Sequence, residues 1–386
     1  MEKPSKLVTA GCVVACFAAP FGTTSVGLLI VLAGLLGTLV RQRPSLSFSH
    51  RVYWLFLALL ASMVISALVS PVRVVALALT LAFALVVTGF VFGTQWTGLD
   101  QRFVQHRLIP ALVVGSVVSY LYAIIHFLVV HPLRAEGLFA GSPGLGTLVI
   151  LCTGVSLGYF ADIRGRWRWI VTGAYLLLAI ATLLLTFARG AWFGFLVMLT
   201  VFALVNRGSR RWALVALLGT AVTLATIPAL RTRFLSSFQV AYSADRVNIW
   251  LATLKMIKDY PVFGVGAGVF PNVFPHYALP QAHYKQVAFA HNLFLQVMAE
   301  FGAVGTAVFI AMLVSALFMS WRLARTGGGA YQGVFAALVG VLIHQQVDIP
   351  IWGLEIGGAF WLLIGLVIAR YAQAGGGVQP EGAHKL

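Results

Sequence analysis

The chain has 386 residues, of which 60% are hydrophobic and only 9% charged, with a mean hydropathy of +0.94. A water-soluble domain of that make-up is excluded, because it would lack the polar surface to cover itself; an integral membrane protein is implied. The formal net charge of +16 is no sign of nucleic-acid binding, since the cations are dispersed over many loops, whereas a nucleic-acid binder gathers them in one patch or stripe.

Apolar runs cover 7–19, 24–40, 52–67, 74–92, 108–130, 145–160, 169–187, 191–205, 212–229, 302–321, 334–344 and 356–371. Most approach the ~20 helical residues needed to cross ~30 Å of hydrocarbon. The runs are continuous and rich in Leu, Ala and Val, unlike the alternating ten-residue segments of an outer-membrane barrel. The expected fold is therefore all-α and polytopic, with about twelve transmembrane helices. Nine fall in residues 1–229, and three in 291–372. Near the start, Thr9-Ala10-Gly11-Cys12 has a faint likeness to a lipoprotein cleavage box. Too few apolar residues precede Cys12 for a signal sequence, so an uncleaved first helix is expected. Cys12, Cys16 and Cys152 all lie in expected spans and argue for neither a disulfide framework nor a metal site.

Threading the spans from a cytoplasmic N-terminus places most Lys and Arg on the inner side, among them Lys3, Lys6, Arg41, Arg164, Arg207 and Arg322. Only Arg73, Arg134 and Arg189 then fall in short outer turns. The positive-inside rule accordingly puts both termini in the cytoplasm. One long outer connection, 230–290, breaks the pattern, and loops of that length are usually functional or disordered. Within it, Ser243 is expected to cap a helix over 244–259 that Tyr260-Pro261 stops. Val247, Trp250, Leu251, Leu254 and Ile257 share one face, so this helix is expected to lie along the membrane surface. The run Gly264-Val265-Gly266-Ala267-Gly268 reads as a tight turn rather than a dinucleotide fingerprint, having neither a preceding strand nor a following ribose-binding acid. The Gly-rich tail, 373–386, is expected to be flexible.

The ten acidic residues include no paired Asp-x-Asp for a divalent cation and no ladder of carboxylates within the spans. Metal catalysis and proton pumping are both disfavoured. What the outer side offers is Arg189 in a short turn, Arg246 in the long loop, His291 at the start of the tenth span, and Arg134 with Glu136 in the loop 131–144. Arg189 reads either as a snorkelling boundary residue or as an anion site, its guanidinium fork matching phosphate oxygens. His291 reads either as an interfacial helix cap or as a functional imidazole. In a continuous helix Gly302 would share its face, with Gly305 nearby, and these small residues would let a neighbouring helix approach and hold the ring. His276, His283 and His291 match no familiar zinc spacing. His344 and Asp348, at the outer end of the eleventh span, suit a supporting polar role.

Three elements in order carry a likeness: Thr186-Phe187-Ala188-Arg189-Gly190 between two spans; Arg246-Val247-Asn248-Ile249-Trp250 followed by Asp259-Tyr260-Pro261-Val262-Phe263-Gly264-Val265-Gly266; and His291-Asn292, then nine residues, then Gly302-Ala303-Val304-Gly305. Together they resemble the O-antigen ligase and polymerase superfamily, best over 186–305. The last element reproduces the ligase pattern of His, then Asn, Ser or Gln, nine residues, and Gly-x-x-Gly. Two positions depart from the family, with Ala188 where Ser commonly precedes the Arg and Ser142-Pro143 where Asn-Pro is frequent.

The resemblance implies a multi-pass protein of the bacterial inner membrane with a periplasmic active site. It implies His291 as the essential histidine, Arg189 and Arg246 on the lipid diphosphate, and Asn292, Gly302, Gly305 and Arg134 in support. The implied reaction transfers a glycan from undecaprenyl diphosphate to a hydroxyl of the lipid A-core oligosaccharide, without metal or cofactor and with inversion. The inventory of residues is compatible. Hydrolysing an ordinary glycoside needs an acid for a poor leaving group, whereas a diphosphate departs as a stable anion, leaving cations and one base as the requirements. Polymerases with the same donor, protein O-oligosaccharyltransferases and, from another class, a twelve-span transporter remain the alternatives. A transporter would be expected to carry polar groups near the middle of several spans.

Overall fold

The computed structural model describes residues 6–42, 51–96, 101–236, 240–280 and 282–374. The flexible-tail expectation therefore falls outside the described residues, apart from 373–374. Among those described, every regular element is a helix. In chain order they are α1 (Lys6–Ala18), α2 (Ser25–Gln42), α3 (Arg51–Val69), α4 (Arg73–Trp96), α5 (Gln101–Val130), α6 (Ser142–Asp162), α7 (Trp167–Leu185), α8 (Arg189–Val205), α9 (Arg210–Thr226), α10 (Pro228–Leu235), α11 (Val240–Asp259), α12 (Leu293–Thr326), α13 (Gly329–His344) and α14 (Leu354–Gln373).

Each apolar run has its own helix, but the helices differ in reach. Seven are long and apolar enough to cross a membrane, and α9 with α10 would make an eighth. The remaining runs form α1, α2, α8 and α13, which are shorter. The run 212–229, expected as one straight span, ends at Thr226 and turns by 93° into α10. Pro228 explains the bend: it lacks an N–H and forces the preceding Ile227 into extended backbone (ψ 114°).

The centre is α6, whose side chains are buried along almost its whole length. Small residues let its neighbours come close, as expected where bilayer helices gain nothing from hydrophobic exclusion and must pack backbone to backbone. A Cβ added to Gly154 would lie 2.7 Å from Ala337 Cβ and 3.0 Å from the Gly333 carbonyl of α13. One added to Gly194 of α8 would lie 2.6 Å from the Gly340 carbonyl of the same helix. At the opposite end from His291, Asp162 accepts the Gly329 and Ala330 N–H groups at 2.6 and 3.0 Å, closing the N-terminus of α13. Large apolar side chains such as Leu29, Leu81, Leu177 and Leu218 stay exposed around the bundle, the surface a bilayer would cover.

The connection between α10 and α12 is a folded unit with its own apolar cluster. Ile249, Ala252 and Met256 of α11 pack with Val265, Val269, Phe270 and Phe274 against Ala67 of α3, Ala76 of α4 and Ala299 of α12. This corrects the reading of α11 twice. The helix begins by Val240, so Ser243 lies inside it rather than capping it. It also has two apolar sides, because Val247, Leu251 and Leu254 remain exposed while the other side is buried in protein.

Candidate active site

The site is assembled from four irregular segments at one end of the bundle. At its centre, His291 Nδ1 lies 3.1 Å from Asp348 Oδ1. The other carboxylate oxygen of Asp348 lies 3.8 Å from an Arg246 guanidinium nitrogen. The side chains of Arg246 and His291 are 33% and 32% exposed and that of Asp348 is 17% exposed, so the carboxylate sits behind the two groups it joins. Burial alone would raise the Asp348 carboxyl. The hydrogen bond from His291, with the charges of His291, His344 and Arg246, outweighs burial and holds it below the ordinary aspartate value.

Two layers of hydrogen bonds hold His291 in place. Asn292 caps α12 by accepting the Leu295 N–H at 3.1 Å, while its amide donates to the Gln346 carbonyl at 3.0 Å. The Leu293 N–H donates to the Gln345 carbonyl at 2.9 Å, so the segment leading to Asp348 is laced to the start of α12. Before the histidine, the Ala290 N–H donates to Gln296 Oε1 at 2.7 Å and its carbonyl accepts from the Trp250 indole at 3.0 Å. His291 itself is left-handed, with φ 53°. That conformation costs a non-glycine residue roughly 1–3 kcal/mol and persists only where the surroundings enforce it.

His131 and Phe187 are the other non-glycine residues with positive φ among those described, at 53° and 50°. Phe187 shapes the turn before Arg189 and His131 the turn before Arg134. The Ala135 N–H donates to the Leu185 carbonyl at 2.8 Å, pinning these two turns together. In the Arg189 turn, Ala188 carries no capping side chain, and the Thr186 hydroxyl accepts the Ala188 N–H at 3.1 Å. Arg189 is the first residue of α8 and donates to the Ser236 hydroxyl at 2.9 Å. No carboxylate pairs with it among the described residues. It feels the charges of Arg246 and Arg134, so three guanidinium groups share one electrostatic neighbourhood. Such a neighbourhood favours a polyanion.

Gly302 acts differently from the expectation. It does not share a helical face with His291, because His291 precedes α12 and α12 is broken at Gly302 itself (φ 62°, ψ −167°). The break frees backbone groups that the glycine turn satisfies. Val265 and Gly266 N–H donate to the Ala299 and Glu300 carbonyls, both at 2.9 Å, while Ala303 and Val304 N–H donate to Pro261 and Val262 at 2.8 and 3.2 Å. Gly264, Gly266 and Gly268 all have positive φ (69°, 108° and 71°), which confirms the tight turn. A Cβ on Gly302 would run into the Val262 backbone, and one on Gly264 into Glu300. Gly305 does admit a neighbouring helix, a Cβ there lying 3.2 Å from Ser62 Oγ of α3.

The structure thus joins His291 and Arg246 through Asp348, with Asn292 capping the helix that follows, places Arg189 within range of the Arg246 and Arg134 charges, keeps Arg134 exposed, and uses Gly302 and Gly305 as packing positions. Among the described residues no three His, Cys, Asp or Glu side chains form a metal-binding group, so His276 and His283 do not join His291. An apolar cavity of about 80 Å3, with Gln101, Tyr331 and Arg370 among its lining, shares no residue with this site. Asp348 is the residue sequence reasoning underused. Its one visible signal is an acid just past the apolar run that ends at His344. Ser236, Gln296, Glu300 and Trp352 gave less, though an acid inside an apolar helix is itself a signal.

No curated protein matches the chain. Residues 174–310 match the family model described as O-antigen ligase, a stretch that holds Arg189, Arg246, His291 and the Gly302–Gly305 break. Over that stretch the chain is similar to the O-antigen ligase family.

Proposed function

We propose that the protein is an O-antigen ligase of the bacterial inner membrane, acting at the periplasmic face on an undecaprenyl-diphosphate-linked glycan with lipid A-core as acceptor. The observation that carries this reading is the Asp348 carboxylate joining His291 to Arg246, with Arg189 within electrostatic reach. Asp348 accepting from Nδ1–H selects the tautomer whose Nε2 is free to take a proton, and it steadies the imidazolium that results.

In the proposed step the acceptor hydroxyl attacks the anomeric carbon of the donor while His291 Nε2 removes its proton. The new C–O bond forms as the bond to the diphosphate breaks, and the electron pair leaves on the diphosphate oxygen. One displacement inverts the anomeric configuration. Arg189 and Arg246 stabilise the charge that grows on the leaving group, the effect usually strongest in such sites. Arg189 suits that task because its partner is a neutral hydroxyl, leaving its charge uncompensated. The exposed apolar side of α11, with Val247, Leu251 and Leu254, gives the polyprenyl chain a surface beside Arg246. The scheme needs neither metal nor cofactor.

A polymerase would use the same donor and differ in its acceptor. The test is transfer in proteoliposomes that hold the donor and either lipid A-core or a second lipid-linked glycan, run with and without a chelator and read on a gel. Wild-type protein is expected to shift lipid A-core, chelator or not, and His291→Ala to shift nothing. Extension of the lipid-linked glycan alone would establish the polymerase reading, and equal product from His291→Ala would refute the assigned base.

A further inference from the structure

Glu300 is 1% exposed, lies inside α12 and has no ion-pair partner among the described residues. A carboxylate in an apolar helix is costly unless every acceptor site is filled. Here the donors are all neutral. Gln296 Nε2 (2.8 Å) and the Phe270 N–H (3.4 Å) approach Oε1, the Trp352 indole (2.9 Å) approaches Oε2, and the Gly268 backbone adds a further bond. These donors come from three segments: the glycine turn, the start of α12, and the turn after Asp348.

The direction of the bonds matters. The Ala290 N–H beside His291 can only donate, so it takes Gln296 Oε1 and turns the Gln296 NH2 toward Glu300 Oε1, which accepts it. On the other side, Glu300 holds Trp352, four positions beyond Asp348. We infer that Glu300 is a positioning residue that fixes His291 against Asp348, acting on one through Gln296 and on the other through Trp352. This inference rests on the glycan-transfer reading for its effect on rate, but its geometric part stands without it.

Glu300→Gln keeps the shape and puts an NH2 where an acceptor is needed, so either Gln296 or Trp352 loses its partner. The double variant Gln296→Glu with Glu300→Gln restores an acceptor for Ala290 and keeps an oxygen for Trp352, losing only the bonds from the Phe270 and Gly268 backbone. Trp352→Phe removes the Oε2 donor and keeps an aromatic ring against Phe301 and Phe309. The experiment measures three things on the full-length protein: kcat and donor KM in proteoliposomes, the melting temperature, and the rate at which diethyl pyrocarbonate modifies His291, read by mass spectrometry. Glu300→Gln is expected to lower kcat by about tenfold or more, as misplaced reacting groups do, with donor KM within about twofold because the guanidinium groups are untouched. His291 modification should speed up several-fold, and the double variant should recover most of both changes. A merely structural role would lower the yield or the melting temperature while kcat per folded molecule and His291 reactivity stayed at wild-type values, and that result overturns the inference. Should Glu300→Gln not fold, Trp352→Phe decides by the same split. Wild-type protein without transfer activity would defeat the functional reading alone, since the His291 modification rates would still test the positioning.

Discussion

The middle of the bundle and the end that holds His291 are built on opposite rules. Around α6, helices are continuous and come close at Gly154, Gly333, Gly194 and Gly340, where a Cβ would meet a partner backbone carbonyl. At the His291 end, α12 breaks at Gly302, α9 turns sharply into α10, and three non-glycine residues take left-handed backbone. Inside a membrane protein, irregular backbone survives only where other protein groups satisfy it. The segment 261–266 provides that satisfaction for α12: Val265 and Gly266 donate to it, and the Pro261 and Val262 carbonyls accept from it. The site is a set of strained turns clamped on a close-packed frame, and the two can be damaged separately.

The largest effect is expected from breaking the frame. Gly333→Leu would drive a side chain into the Gly154 carbonyl and Gly158 backbone, and folded protein should fall to near zero, read as monodisperse material in gel filtration. His291→Ala should do the reverse, lowering transfer by roughly a thousandfold or more, in the range for a group that moves the proton together with its orienting partners, with only the small drop in melting temperature that follows from losing the bond to Asp348. If His291→Ala were instead to unfold the protein, the site would prove to be part of the frame.

Gly302→Ala lies between these two. It adds a steric clash with Val262 to a positive φ, so both stability and transfer should drop, stability by about 2 kcal/mol or more. Asp348→Asn should lower transfer by about a hundredfold, because an amide can present the wrong group to the imidazole. Its pH behaviour sharpens the comparison. The folded state holds the Asp348 carboxyl below its ordinary value, so its stabilising contribution is complete above the ordinary aspartate range and disappears as pH falls through the lowered value. Melting curves of wild type and Asp348→Asn should therefore differ at neutral pH and converge on acidification; a constant gap across pH would contradict the assignment. Smallest of all, Arg134→Ala should change transfer by less than about tenfold, since the side chain is exposed and makes its contribution through screened charge.

Much of the frame was legible because bilayer physics writes it in composition: each apolar run has its helix, and positively charged residues punctuate the runs. The bend at Pro228 and the early start of α11 were not, because a continuous apolar run conceals a proline turn and a capping residue resembles any interior serine. At the candidate site, Arg189, Arg246 and His291 stood out in the sequence through a motif. The role of Gly302 was misread because helical periodicity was carried through a residue that leaves the helix. Asp348 and Glu300 depend on contacts across 57 and 52 positions, to His291 and from Trp352, which no local pattern reports.

The most direct measurement is a cryo-EM structure of the protein in a nanodisc with undecaprenyl diphosphate bound. The account expects the diphosphate oxygens within about 3 Å of guanidinium nitrogens on both Arg189 and Arg246, with His291 still on Asp348 and Nε2 facing the space where an acceptor hydroxyl would enter. A diphosphate bound away from both guanidinium groups, or one that left His291 walled off from the phosphate, would contradict it.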